Sequence, residues 1–401
     1  MQPKIGSDKE HSTQQTDYKK NMKVGNDKSN PFLVRGFCKD EWFCDRELET
    51  ERLLQNALNG VDTTLISPRK YGKTGLIFHL FHQIEKQQLP IKCIYVDLLQ
   101  TRSIDDFINA LAEELVKFPE QTSFGKRVWD FLKRLRPILS YDSLTGEPQV
   151  SFTYQMAGEE ERNLRNILEF LNGQPEQIIL ALDEFQQVTE YPERMEAILR
   201  SYIQNLHNIH LIFSGSKQSL MAEMFLSPKR PLFSQTQQLS LDKITEDKYA
   251  SFIKRLFNEG GQQIDEDVIQ FILHWTRRHT FYTQCVCNRV FSKHLEHIDL
   301  DSVKVVCSEL LIENESNYIQ YKELLTPMQW QMLVAIAKER EVTQITAGSF
   351  LNKYKISGTT TARRTVNSLI EKELILPIPQ KKHTIYQIYD VFFMHWLARE
   401  Y

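Results

Sequence analysis

The residues with the most chemical promise lie in Ser67-Pro68-Arg69-Lys70-Tyr71-Gly72-Lys73-Thr74, directly after the short run Thr64-Leu65-Ile66. Behind them Leu76, Ile77, Leu80 and Phe81 repeat at helical spacing, so the stretch reads as strand, tight loop, helix. Such a loop turns backbone N–H groups at a helix N-terminus toward phosphates, and the helix dipole favours their charge. In that reading the segment 67–74 cradles a nucleotide, Lys73 reaches its β- and γ-phosphates, and the Thr74 hydroxyl ligates Mg²⁺. Ser67 stands where the pattern has glycine, and serine supports the turn only if its φ is negative. Gly-Lys-Thr alone also fits an ordinary basic turn. A second site is needed.

That second site is Gln177-Ile178-Ile179-Leu180-Ala181-Leu182-Asp183-Glu184, an apolar run ending in two carboxylates. It reads as a strand buried on both faces of a parallel sheet, with its acids at the C-terminal edge where α/β proteins bind ligands. Asp183 would hold Mg²⁺ through water, and Glu184 would polarise the attacking water. A strand that simply ends at a solvated Asp-Glu pair leaves the same trace. The two signals in this order point to nucleotide binding, and to hydrolysis after it.

Other strands must flank these two. Residues 91–98 read as a second buried strand, with Asp97 either facing the nucleotide or capping the next loop, the second being the better fit. Residues 210–216 read as a third, which would set Ser214 beside Asp183 as a sensor of the γ-phosphate; Ser214 and Ser216 equally suit a plain turn. Strands alternating with helices imply right-handed crossovers and a parallel sheet. The helices expected are about 48–58, with Asp45 as N-cap, 103–117, 158–172 and 193–205. A β-hairpin insertion is expected near 136–156, around the turn Ser143-Leu144-Thr145-Gly146.

The 401 residues give material for two or three domains. A net charge of −3 carries no global polyanion signature. No apolar stretch reaches the roughly twenty residues needed to span a bilayer. The six cysteines show no paired C-x₂-C spacing, and a reduced cytoplasmic protein is expected. Residues 1–29 are polar and read as a disordered tail. The α/β nucleotide core is assigned to 30–242 and a helical lid without convincing strands to 243–320. Residues 321–401 carry helix, helix, helix and two short strands, the order of a winged helix-turn-helix. From 325 onward ten Lys and Arg stand against six Asp and Glu, a local excess of +4. Arg363, Arg364 and Asn367 on the third helix, with Lys381 and Lys382 in the wing, are candidate contacts to double-stranded DNA.

Several segments together resemble the archaeal/prokaryotic ATPase family of STAND-type P-loop NTPases, relatives of AAA+ proteins. Phe43-Cys44-Asp45-Arg46-Glu47 is similar to the family's F-x-G-R-E motif, and Pro68-Arg69-Lys70-Tyr71-Gly72-Lys73-Thr74 to its P-R-R-x-G-K-T loop. Leu182-Asp183-Glu184-Phe185-Gln186 resembles its hydrolysis motif and Phe213-Ser214-Gly215-Ser216 its sensor strand. The segment 276–284 resembles the lid motif G-G-H-P-Y-Y, and 390–396 the end of the winged-helix region. The resemblance implies a P-loop parallel sheet, a helical lid and a C-terminal winged helix, with ATP and Mg²⁺ as ligands. It also carries departures. Asp45 replaces a glycine, Arg277-Arg278 replace two more, Thr280 replaces proline, and Gln235 stands where the family tends to have arginine. Loss of an arginine finger lowers turnover by roughly 10³–10⁵. Arg230, Arg277 and Arg278 are candidates for a relocated charge, or are ordinary solvated surface.

The function expected is therefore a slow Mg²⁺-dependent ATPase acting as a nucleotide-controlled switch, with the winged helix as output toward DNA or a protein. The alternatives are a DNA-binding regulator and a nucleotide-binding scaffold with little or no hydrolysis. Oligomerisation is compatible with all three.

Overall fold

The computed structural model describes residues 30–34, 36, 40–141, 143, 146, 148–154 and 158–401. The expected tail at 1–29 lies outside the described residues, as do positions 144 and 145 of the expected turn. The first part of the chain runs α1 (Glu47–Leu58), β1 (Thr63–Ile66), α2 (Lys73–Lys86), β2 (Ile91–Asp97), α3 (Ile104–Val116) and α4 (Ser123–Arg134). An antiparallel hairpin follows, β3 (Ile138–Tyr141) with β4 (Pro148–Ser151). Then come α5 (Glu159–Asn172), β5 (Gln177–Asp183), α6 (Met195–Ile203), β6 (Ile209–Gly215), α7 (Gln218–Leu226) and β7 (Gln237–Ser240).

Five of these strands form one parallel sheet in the order β2-β5-β6-β1-β7. Both flanks are covered, so the central strands read as continuous apolar runs rather than alternating ones. In β5, Ile178, Leu180 and Leu182 enter a core built with α3, α4, α5 and α6, while Ile179 and Ala181 enter another with α1 and α2. Topology matters for the site: β6 lies between β1 and β5, so the loop after β1 and the acids after β5 share the sheet's C-terminal edge.

Three local features depart from the sequence reading. Asp45 does not cap α1; the N-cap is Arg46, and both residues have left-handed backbones, with φ of 59° and 80°. An N-cap needs an extended backbone to aim its side chain at the first turn, and Asp45 instead pairs with Lys248. Helix α4 falls outside the expected helices and buries Phe124, Val128 and Leu132 along one face. The polar edge strand β7 was also not anticipated. Asp97 follows the better-fitting reading, accepting from the Leu99 N–H at 2.9 Å to cap the loop.

Beyond β7 the chain continues as α8 (Glu246–Glu259), β8 (Gln263–Ile264), α9 (Glu266–Trp275), α10 (Thr280–Phe291), β9 (His297–Ile298) and α11 (Leu300–Leu324). The β8–β9 pair is a minimal parallel ladder in a segment expected to lack strands. The last part is α12 (Pro327–Glu339), α13 (Gly348–Lys353), α14 (Thr359–Glu371), β10 (Ile375–Pro379), β11 (Thr384–Ile388) and α15 (Val391–Glu400), with β10 and β11 forming the wing. Thr326 and Gln329 close a capping box at the start of α12, with Pro327 in the first turn where its missing N–H costs nothing.

The expected division at 320/321 falls inside α11. Buried residues of α8–α11 and of α12–α15 belong to one continuous apolar cluster, separate from the two clusters of the sheet. Phe32 and Cys44, although early in the sequence, join that third cluster. No helix among the described residues is long and apolar enough to cross a membrane.

Candidate functional site

The loop 67–74 leaves β1 and enters α2 through Gly72, whose φ of 96° only glycine holds without strain. Lys70 takes a left-handed φ of 62°, whereas Ser67 is outside that region and fully buried. The loop's demand for a permissive residue is met at 72, so serine at 67 is compatible with the turn. Helix α2 starts without a side-chain cap, so its first N–H groups are free for an anionic ligand.

Lys73 is buried, and its ammonium donates to the carbonyls of Ser67 at 3.0 Å and Pro68 at 3.1 Å. Burial lowers its pKa, opposed by the nearby charges of Asp183 and Glu184. The Thr74 hydroxyl donates to Asp183 Oδ2 at 2.6 Å, joining the two motifs directly. Tyr95 on β2 donates to the same oxygen at 2.9 Å, and Asp183 Oδ1 accepts from the Glu184 N–H at 3.0 Å. These hard oxygen donors, a hydroxyl and a carboxylate in contact, are of the kind that binds Mg²⁺.

Glu184 has a left-handed backbone, φ 50° and ψ 38°. Its Oε2 accepts from Gln186 Nε2 and from Ser216 Oγ, the latter at 2.8 Å. Ser214 is level with Asp183, one step past the Leu182–Phe213 register pair. It is fully buried and its hydroxyl has no hydrogen-bond partner among the described residues. Of the two serines it is Ser216 that holds the glutamate. Between them Gly215 leaves room for its neighbours, since a Cβ would stand 2.4 Å from Gln186 Oε1 and 2.6 Å from Met221 Sδ and would oblige those side chains to shift.

A cavity of about 510 Å³ opens beside the loop. Its walls come from Phe43 and Arg46, from Lys73, Thr74 and Glu184, and from Ile244 and Phe281 of the helical part. Phe43 rests on Gly75 in the first turn of α2 and stacks on His79 at 4.2 Å. Lys70 sits 3.8 Å over the Phe281 ring, and Tyr71 meets His279 edge-on at 4.6 Å. Burial pushes the His279 imidazole down to about 3, so it is neutral at physiological pH.

The winged helix also touches the loop. The Arg69 N–H donates to Tyr389 Oη, and its guanidinium pairs with Glu373 at 3.0 Å and approaches Ser216 Oγ at 3.4 Å. The three arginines considered for a relocated charge lie elsewhere. Arg230 pairs with Glu196 and Glu223, while Arg277 donates to the Arg340 carbonyl at 2.6 Å; neither these two nor Arg278 lines the cavity. Gln235 donates to the Phe233 carbonyl at 3.3 Å. Among the described residues, the arginines at the cavity wall are Arg46 and Arg69.

Arg363, Arg364 and Asn367 are exposed on α14, and Lys381 and Lys382 are exposed in the wing, away from the nucleotide cavity. The sequence reading did not single out Tyr95, Gln186 or Tyr389. Tyr95 carried a signal, a hydroxyl-bearing ring two residues before the acid that ends its strand. Gln186 and Tyr389 reach the site through turns whose path no periodicity reveals.

A phosphate-type loop on an inner strand of a parallel sheet, with an acid-tipped strand beyond its neighbour, defines the class: a P-loop ATPase fold carrying a winged helix. The sequence profile of the ATPase domain family found predominantly in Archaea matches residues 43–277, and one described as a "probable winged helix domain" matches 316–399. The chain belongs to that ATPase family. Among solved structures, the Walker-type ATPase PABY2304 of Pyrococcus abyssi is similar at 19% identity and a TM-score of 0.63, covering 92% of this chain and 99% of its own. The ORC2 protein of Aeropyrum pernix, in ADPNP–ADP complexes, is similar at 14% identity and a TM-score of 0.57, covering 92% and 96%. No curated protein matches the chain.

Proposed function

We propose that the protein is a slow, Mg²⁺-dependent ATPase whose nucleotide state controls the grip of its winged helix on the phosphate loop. ATP would lie along the segment 67–74, its base against Phe43, Ile244 and Phe281. Thr74 directly and Asp183 through water would hold Mg²⁺, which when bound neutralises phosphate charge. Lys73 would exchange its two carbonyl partners for phosphate oxygens. Glu184, oriented by Ser216 and Gln186, would take the proton of the attacking water, and Ser214 would sense the γ-phosphate.

The observation that carries the switch is the Arg69 N–H, a loop donor suited to phosphate that is spent on Tyr389 of the winged helix. Nucleotide and winged helix then compete for one loop, and a ligand shifts such an equilibrium by its differential affinity for the two states. Glu373 strengthens the grip through the Arg69 guanidinium. The double change Tyr389→Phe/Glu373→Gln is therefore expected to raise ATP affinity about three- to tenfold, each such contact being worth on the order of 1 kcal/mol. Titration with a fluorescent ATP analogue measures it. Unchanged or weaker binding would remove the competition.

A second reading, duplex-DNA binding, is favoured by one observation: five exposed polar side chains on α14 and the wing that make no hydrogen bond or ion pair within the described protein. Low-salt retardation of duplex DNA should then be lost in Arg363→Ala/Arg364→Ala, with the salt slope reduced in the single variants by about one for each phosphate contact removed. Absence of retardation at low salt leaves protein partners as the output. Tight ATP binding with no turnover under any condition would instead favour the scaffold.

A further inference from the structure

A second cavity, of about 580 Å³, lies between the end of α9 and the winged helix and shares no lining residue with the nucleotide cavity. Lys243, Arg277, Arg278 and Arg340 converge on it from three separate segments. Two carboxylates, Glu246 and Glu341, also line it, yet no ion pair joins either to these cations. Glu341 is engaged by Gln387, Arg277 donates to the Arg340 carbonyl, and Arg340 meets His274 at 3.2 Å. The side chains of Lys243 and Arg278 have no hydrogen-bonding or ion-pair partner among the described residues. Lys243 is partly buried, and its ammonium is disfavoured first by that burial and then by Arg277 and Arg278. Four cations against two carboxylates, with Glu341 offsetting part of the charge at Lys243 and Arg277, leave a net positive field that an anion would relieve.

The backbone supplies an independent observation. Arg277 and Arg278 are consecutive residues with left-handed φ of 54° and 55°, a conformation that glycine holds freely and a β-carbon resists. Backbone strain of this kind clusters at ligand clamps and switch regions. Here it sets two consecutive arginines in the cavity lining, and a guanidinium offers forked donors that match phosphate. The stacked pair Trp275 and His395, with rings 4.3 Å apart, forms an adjoining wall. Immediately after Arg278, His279 and Thr280 contact Tyr71 of the phosphate loop.

We propose that this cavity is a binding site for a small molecule carrying two or more linked phosphates, clamped between Lys243, Arg277, Arg278 and Arg340 and distinct from the ATP site. The size suits such a ligand, since small-molecule pockets run from about 300 to 1,000 Å³. Its occupancy would bear on the loop through His279 and Thr280. That last step rests on the proposed nucleotide function, whereas the binding itself does not.

The test is calorimetric titration of the full chain carrying Lys73→Ala with inorganic tripolyphosphate, beside the same chain with Lys243→Gln/Arg278→Gly added. Neither side chain makes a hydrogen bond or ion pair among the described residues, and glycine fits the left-handed backbone at 278. One-site binding that weakens at least tenfold in the second protein, with both melting at similar temperatures, is the expected result. Equal binding in the two proteins, or no binding in the first, overturns the proposal. So does binding of duplex or single-stranded DNA at these residues with none of tripolyphosphate, which would make the cavity part of a nucleic-acid track. Loss of ATP binding in Lys73→Ala is read separately and does not touch these outcomes.

Discussion

Glu184→Gln is expected to lower ATP turnover by about 10²–10⁴ while leaving ATP affinity within about threefold of the parent, the range for removal of a positioned general base. Glutamine keeps the length of the side chain, and its amide oxygen can still accept from Ser216 and Gln186, so the groups around it need not move. What disappears is the capacity to take a proton. The left-handed backbone at 184 is set by the turn into the helix that follows and is indifferent to the exchange. Single-turnover measurement of phosphate release beside equilibrium ATP binding separates the two quantities. Turnover retained in the variant would remove Glu184 from the chemistry and send the search to another base.

Lys73→Ala should instead abolish useful binding. The ammonium is the one lysine charge buried against the loop, and its neighbours Asp183 and Glu184 would otherwise repel the phosphates. A loss of at least a hundredfold in ATP affinity is expected, about 2.7 kcal/mol at 25 °C. The nucleotide-free fold should suffer less, because the Ser67 and Pro68 carbonyls lose one donor each and such bonds contribute about 0.5–1.5 kcal/mol net. Calorimetry with ATP and Mg²⁺, together with a thermal melt, checks both. Affinity close to the parent's would mean that the loop does not hold the phosphates.

The sheet and its two motif loops were legible because burial on both faces forces unbroken apolar strands, and because Gly72 and Asp183 punctuate them. The rest escaped for physical reasons. Strand β7 exposes all but Leu239, so its sequence carries one apolar signal and no period. Helix α4 carries Phe124, Val128 and Leu132 at four-residue spacing, but Trp129 and Phe131 fall between the last two and blur the period. Asp45 has the right residue type for a cap and the wrong backbone, which is set by tertiary contacts. The cavity walls join positions 43, 184, 244 and 281, a convergence that no local pattern encodes. Where Arg277-Arg278 replace glycines, the sequence flagged a departure, and the structure adds that the glycine-like conformation is kept.

The helical part and the winged helix share one apolar core, and that core also claims Phe32 and Cys44. The polypeptide therefore passes between this unit and the sheet at two points, once after Cys44 and once after Leu241. The two crossings are fastened to each other, since Arg46 donates to the Asp242 carbonyl at 2.6 Å and Asp45 pairs with Lys248. Two adjacent strands of chain act like a hinge pin, permitting rotation about one axis and resisting twist about the others. The named contacts along the opening edge are polar or aromatic, with the ion pair of Arg69 and Glu373 among them. Opening that edge would break the Arg69–Glu373 pair and expose the buried rings of Tyr71 and His279. The Arg69–Glu373 pair weakens with salt screening, so rising ionic strength is expected to loosen the edge.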